Sequence, residues 1–327
     1  MTQVFEALPG FEVPVGAIAE GLTSLWKAAA AGGRPAPALE DAAAMQVNLV
    51  LHLGFKTTVS DALVQFDTAA RFSRRYPSRV VILCPLVDES SHTEMRAKIH
   101  GECTLGKSRD DSRCCEFVLL SYPRRHRQHL ENQVSVSISS DLPLYYWPHR
   151  FSANNALADY HYLLTRSKRV LIDSAVSPPG SLSYPWPHPE AVRDLAYSRT
   201  LRVRQAIGQF LSRYPMETLC AGLREVIVGH GSAYPAEANA LLDWLRNRIS
   251  LCGQNRASFR IEAPGEGDPG ACSARFIYDG AKSFIWSADL AQGQSRFEAD
   301  YGSGGTTLSA TARLLPPEEA LSEAMFL

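Results

Sequence analysis

Apolar residues in the first half of the chain fall into short dense runs separated by amphipathic stretches. Residues 46–53, with Val47-Asn48-Leu49-Val50-Leu51 at their centre, form a β-rich apolar run, and the pattern predicts a strand. Ser60-Asp61 is a helix-opening signal, and Leu63, Phe66, Ala70 and Phe72 recur on one side of a helix reaching about Arg75. Residues 80–83 are apolar throughout, as expected of a strand covered on both faces. If the two strands run parallel, the helix between them makes a right-handed crossover. Residues 96–104 and 113–121 read as strands flanking a charged turn at 106–111, so a hairpin is expected. Pro123 opens a helix from Arg124 toward Ser139. Pro143 bars continuation of any helix, and bulky residues 144–147 suit a pleated strand that Pro148 is expected to end. Leu144 and Tyr146 would share one face, with Tyr145 and Trp147 on the other. A helix over about 155–165 and a strand over 169–173 complete this region.

Before it lies a helix at 16–31 carrying an apolar stripe of Ile18, Leu22, Leu25 and Trp26. Residues 32–37, rich in Gly and Pro, read as a linker, so 1–40 forms a helical leader. The prolines of 177–189 mark a second, extended linker between a domain at 41–176 and one at 190–327. The second domain reads as a long helix at 190–213, a strand near 224–228 and a helix at 235–249. An antiparallel meander over 259–315 follows, with turns at Asp279-Gly280 and 302–305, and then a short helix at 317–325. The expected fold is an α/β N-terminal domain with a mixed sheet, followed by an α+β C-terminal domain with an antiparallel meander.

Composition narrows the classes. A length of 327 residues suits two domains, and 45% hydrophobic with 20% charged residues is ordinary for a globular protein. A formal net charge of −1 gives no overall attraction to nucleic acid. No apolar run approaches the roughly 20 residues of a membrane helix, and the N-terminus lacks the basic start of a secretory signal. A cytoplasmic location, with no membrane and no nucleic-acid partner, is the expectation. Seven cysteines, an odd number with no Cys-x-x-Cys, argue against a secreted disulfide framework and against structural zinc.

The chemical motifs are sparse. Gly54-Phe55-Lys56-Thr57-Thr58 follows the first strand without the glycines that a pyrophosphate requires for close approach. Gly229-His230-Gly231-Ser232 lacks an orienting carboxylate, and His126 with His129 lacks a carboxylate ligand. No catalytic residue, cofactor or metal is expected. Arg124, Arg125 and Arg127 form the densest basic cluster, a candidate contact for a phosphate or an acidic partner surface, or simply a solvated face. At a helix start these cations oppose the macrodipole. Cys103, Cys114 and Cys115 are candidates for redox chemistry, set against the plainer reading of buried structural cysteine.

The segment Asp141-Leu142-Pro143-Leu144-Tyr145-Tyr146-Trp147-Pro148 carries a family resemblance, together with four other places in order. These are Val47-Asn48-Leu49-Val50-Leu51 leading to Tyr76-Pro77-Ser78-Arg79-Val80-Val81-Ile82, then Arg169-Val170-Leu171-Ile172-Asp173-Ser174. Asp194-Leu195-Ala196-Tyr197-Ser198-Arg199 with Arg204, and the run from Ala238 to Leu245, complete the series. The chain resembles the OpcA family of glucose-6-phosphate dehydrogenase assembly proteins. It departs from the family at Tyr146, Tyr197 and Val203, where tryptophan is usual, and in a more polar run at 135–140. The resemblance implies a non-catalytic regulatory subunit of the oxidative pentose phosphate pathway that binds and activates glucose-6-phosphate dehydrogenase. The alternative is an enzyme acting on a sugar phosphate through a divergent site. Family-matching positions are Asp141, Pro143, Trp147, Asp173, Asp194, Arg199 and Arg204, with no catalytic role assigned.

Overall fold

The computed structural model describes residues 4–33, 36, 45–86, 94–105, 112–252, 256–262 and 268–327. Half of the expected linker at 32–37 and all of the charged turn at 106–111 lie outside these residues. The chain begins with α1 (Val4–Ala7), β1 (Phe11–Val13) and α2 (Ile18–Ala31). It continues through β2 (Val47–Leu53), α3 (Val59–Arg75), β3 (Ser78–Pro85), β4 (Arg96–Leu105) and β5 (Ser112–Tyr122). Next come α4 (Leu130–Ser137), β6 (Leu144–His149), α5 (Asn154–Ala158), α6 (His161–Arg166), β7 (Arg169–Ile172) and β8 (Val192–Asp194). The chain divides into two compact units, the first running to Asp194 and including Leu321–Leu327, the second Leu195–Ala320.

The first unit is built on an eight-stranded mixed sheet in the order β1-β4-β5-β3-β2-β6-β7-β8. β2, β3, β5, β6, β7 and β8 run parallel, while β4 is antiparallel to β1 and β5. Apolar residues at alternate positions explain why both faces are covered. Val50, Val81, Val118 and Tyr146 face a cluster completed by Ile18 and Leu22 of α2, Leu130 and Val134 of α4, and Leu163 and Leu164 of α6. On the opposite face, Phe66 of α3 packs against Phe117, and Phe326 packs among Phe72, Tyr76 and Tyr145. Thr58 caps α3 by accepting a hydrogen bond from the Asp61 amide at 3.2 Å. The inward stripe of α3 runs through Ala62, Phe66, Ala69 and Ser73, so Leu63 stands at its edge and is exposed, against the expectation.

Several boundaries differ from those the sequence suggests. The described part of the expected leader, residues 4–33, is not separate, because β1 pairs with β4 at the sheet edge. Lys98 fastens this segment: its buried Nζ donates to the carbonyls of Phe5, Glu6 and Leu8 at 2.8–3.2 Å. The Trp26 indole likewise donates to Glu116 at 2.8 Å. Residues 177–189 are not a free linker either. Trp186 is buried in the first unit's core and donates to the Ser181 carbonyl at 2.7 Å. Pro148 lies inside β6, tolerated because β7 pairs only with Tyr145 and Tyr146 and leaves that side of the strand open. The helix expected from Arg124 is a 3-10 turn (Arg124–His129) before α4, and the one expected at 155–165 breaks at Tyr160.

The second unit holds α7 (Leu195–Arg199), α8 (Leu201–Leu211), α9 (Met216–Cys220), β9 (Leu223–His230) and α10 (Pro235–Ser250). It continues with β10 (Ser258–Glu262), β11 (Ala271–Tyr278), β12 (Ser283–Asp289), β13 (Gln294–Asp300), β14 (Thr306–Thr311) and α11 (Pro317–Phe326), whose end belongs to the first unit. The long helix expected at 190–213 is interrupted, since β8 extends the first sheet and Thr200 closes α7 by donating to the Tyr197 carbonyl. A six-stranded sheet runs β10-β9-β11-β12-β13-β14. β11 to β14 form the expected meander, but β10 is parallel to β9 because α10 carries the chain back to the same end. Alternate residues of the meander, including Phe276, Phe284, Trp286 and Phe297, meet Val203, Ile207 and Phe210 of α8 in one core.

Asn48, wholly buried in β2, clamps the turn before β6. Its amide donates to the carbonyls of Ser139 (2.8 Å) and Leu142 (3.2 Å) and accepts from the Ser139 N–H (3.0 Å). Replacing Asn48 by Leu strips partners from three backbone groups and should destabilise the protein by about 2–4 kcal/mol. Urea denaturation compared with wild type checks this, and a change within experimental error would dismiss the clamp.

Candidate functional site

In an open α/β sheet a ligand crevice forms beyond the carboxyl ends of the strands, where the strand order reverses. Here that place lies between β2 and β6, because the chain proceeds from β2 to β3 on one side and returns to β6 on the other. Three side chains meet there. His149, at the end of β6, pairs its Nε2 with Asp61 Oδ2 at 2.8 Å, and Arg150 Nε donates to the same oxygen at 2.5 Å. Asp61 is in the first turn of α3, where a helix N-terminus favours negative charge. Burial pushes the Asp61 carboxyl up, but His149, Gln65 and the Arg150 charge together hold it below its ordinary value. Burial pushes His149 down more than Asp61 pulls it up, so the imidazole stays neutral more readily than usual. Its Nδ1 and the nearby Trp147 indole nitrogen are buried with no hydrogen-bond partner among the described residues.

Backbone fills the crevice itself. The Gly54 amide donates to the His149 carbonyl at 2.6 Å, and a Cβ at Gly54 would stand 2.3 Å from the Arg150 carbonyl oxygen. Arg150 has a φ of 52°, the one non-glycine residue at positive φ among those described. The anion position at the start of α3 is thus occupied by the protein's own carboxylate. A phosphate there would meet Asp61 and a closed loop contact instead of free amides.

Below this contact His52 sits on β2 with its neighbours on the opposite face. Its Nδ1 pairs with the Tyr146 hydroxyl (2.8 Å) and its Nε2 with that of Tyr122 (2.6 Å), which also bonds Tyr160 (2.8 Å). Phe151 and Tyr160 stand edge-on to the ring. Sequence reasoning missed His52, His149 and Asp61 as a polar group because their partners are remote in the chain. A histidine within an otherwise apolar buried strand was the available signal.

The positions singled out in the sequence are dispersed. Arg124, Arg125 and Arg127 are exposed on the 3-10 turn rather than at an α-helix start, and Arg127 pairs with Asp159 at 3.1 Å. Cys103 and Cys114 face each other across the β4–β5 hairpin and form a disulfide, Cα–Cα 4.1 Å. Neither is therefore a buried free thiol. Cys115 points to the other face, buried, with burial pushing its thiol up to about 12, which removes it as a ready nucleophile. The structure also brings together two cysteines that are distant in sequence: burial, with Cys252 beside it, raises the Cys220 thiol to about 11, and Cys252 donates to the Arg248 carbonyl. Among the described residues no group of three His, Cys, Asp or Glu side chains is placed to hold a metal ion.

The family-matching residues are tied into local structure. Asp141 accepts from the Ser139 hydroxyl at 2.6 Å, and Pro143 supplies the carbonyl that receives the Asn48 amide at 3.0 Å. Asp173 accepts from the Ala175 amide, and Asp194 accepts from both the amide and the hydroxyl of Ser174. In the second unit Arg199 pairs with buried Glu237 at 2.8 Å. Arg204 lies 3.8 Å from the Tyr197 ring centroid and donates to Thr200, so the guanidinium stacks on the tyrosine.

His52 yields a pH prediction. Burial pushes its pKa from 6.5 down to about 3, so below pH 6.5 the unfolded chain takes up a proton that the folded chain refuses. Its contribution is therefore complete above that pH and shrinks as pH falls toward 3, by about 2 kcal/mol at pH 5. Denaturation at pH 7.5 and 5.0 should show this loss, and His52→Gln should remove most of the difference. An equal pH dependence in wild type and variant would refute it.

No curated protein matches the chain. Among solved structures, myo-inositol dehydrogenase from Lactobacillus casei in complex with NAD(H) and myo-inositol aligns with 83% of this chain and 79% of its own, at 10% identity and a TM-score of 0.36. A likeness that slight carries no argument. Residues 69–183 match the family described as the glucose-6-phosphate dehydrogenase subunit N-terminal domain. That span runs from the middle of α3 through β3, the β4–β5 hairpin, the Asp141–Pro143 turn and β7, about a third of the chain.

Proposed function

We propose that this chain is a non-catalytic subunit that associates with glucose-6-phosphate dehydrogenase in the cytoplasm and activates it. The observation that carries the reading is the OpcA-family domain at residues 69–183. The switch-point crevice supports it, because Gly54 packs on Arg150 and Asp61 occupies the helix start where a phosphate would be held. Activation then rests on differential affinity. A tenfold preference for the active dehydrogenase moves its equilibrium by about 1.4 kcal/mol per bound subunit. Arg124, Arg125 and Arg127, exposed together beside Pro123, are the proposed contact for an acidic patch on that enzyme.

Two measurements test this reading. Addition of the purified chain to its cognate dehydrogenase should raise activity and produce a co-migrating complex at micromolar concentration. Unchanged kinetics with no complex would defeat the proposal, as would turnover of glucose 6-phosphate by the chain alone that His149→Gln abolishes.

Reversal of Arg124, Arg125 and Arg127 to Glu should slow association about tenfold at low ionic strength and flatten its salt dependence. The melting temperature should stay close to wild type, since exposed ion pairs contribute little. An unchanged association rate with an unchanged melt would remove the cluster from the interface.

A further inference from the structure

The second unit contains a cavity of about 620 Å³ framed by α8, α9 and the end of α10. Its volume falls in the range of small-molecule sites, and its wall is mainly apolar, with Leu219, Leu245, Phe276 and Trp244 among the lining side chains. The ionisable side chains of clear charge are both cations: Arg204 and Arg248 line the cavity, and no carboxylate does. Arg204 is engaged with Tyr197 and Thr200, whereas Arg248, exposed at the rim, makes no ion pair among the described residues.

Gly208 is the second observation. It lies inside α8, where glycine is a poor helix former, and it lines the cavity. Packing does not require it. An added Cβ would meet only the Trp244 ring, at 3.9 Å, an ordinary contact distance. Local helix preference is thus given up at a position that lines the cavity, where a larger side chain would extend toward it. Departures of this kind mark functional positions.

We propose that this cavity binds a small amphipathic anion, its apolar body against Trp244 and Phe276 and its acidic head at Arg248. The site is independent of the dehydrogenase association, and its test requires no partner protein. The full-length chain is titrated with 1-anilinonaphthalene-8-sulfonate and, separately, with its uncharged analogue N-phenyl-1-naphthylamine. Saturable one-to-one binding of the sulfonate is expected, weakened about tenfold by Arg248→Ala, the loss of one charge-assisted hydrogen bond. Gly208→Leu should weaken it at least as much, with an intact melt. Gly208→Ala, which fits the helix better, keeps the test valid should the leucine variant unfold, and should weaken binding by a smaller factor. The uncharged analogue should be indifferent to Arg248→Ala. Absence of saturable sulfonate binding, or an affinity unmoved by the Gly208 and Arg248 substitutions, overturns the proposal.

Discussion

Strand β2 is buried at all seven positions, and that lack of solvent on either face dictates much of what surrounds it. A strand so placed is expected to be wholly apolar, yet Asn48 and His52 lie within it at 0% exposure. Each must find its partners inside the protein or impose the full desolvation cost of a buried polar group. Asn48 finds three in the turn before β6, and His52 finds two tyrosine hydroxyls, one on β5 and one on β6. These demands fix the register of the neighbouring strands more sharply than apolar contact alone, because hydrophobic burial is non-directional and a hydrogen bond is not.

The same strand ends in the loop contact that closes the switch point. Gly54 permits backbone to approach backbone, Arg150 turns through positive φ, and Asp61 gathers His149 and Arg150 onto one carboxylate. The features that open an α/β crevice to a ligand are here used to join two loops. The polar residues singled out in the sequence behave in a similar way, holding turns and helix junctions through Asp141, Asp194, Arg199 and Arg204.

Elements with local signals were legible in the sequence. α3 follows from its cap and its periodicity, the β4–β5 hairpin from two apolar runs about a charged turn, and the meander from its alternation. What escaped depends on remote partners. The three residues of β1 have no pattern of their own and are strand only because β4 offers an edge. Pro148 reads as a stop until the absence of a β7 neighbour at that height is known. Residues 177–189 read as linker because prolines forbid helix, but Trp186 shows that an irregular segment can still be core. His149 and Asp61 are 88 positions apart, and the Cys220–Cys252 contact likewise joins separate elements, so no window along the chain contains either. The sequence grouped Cys103, Cys114 and Cys115 without choosing a partner, and the hairpin register, which sets Cys103 opposite Cys114, makes the choice.

Leu321–Leu327 belong to the unit that begins the chain, with Phe326 set among Phe72, Tyr76 and Tyr145. Order of synthesis and order of completion therefore diverge. A nascent chain that has emerged through residue 194 already possesses every strand of the first sheet, but the aromatic cluster on the α3 face still lacks one of its rings. That gap persists while all 126 residues of the second unit, Leu195–Ala320, are translated. At roughly 5–20 residues per second this interval is on the order of ten seconds, against the milliseconds to seconds in which small domains of non-local topology fold. During it Phe72 and Tyr76 lack the Phe326 ring that packs against them in the complete chain.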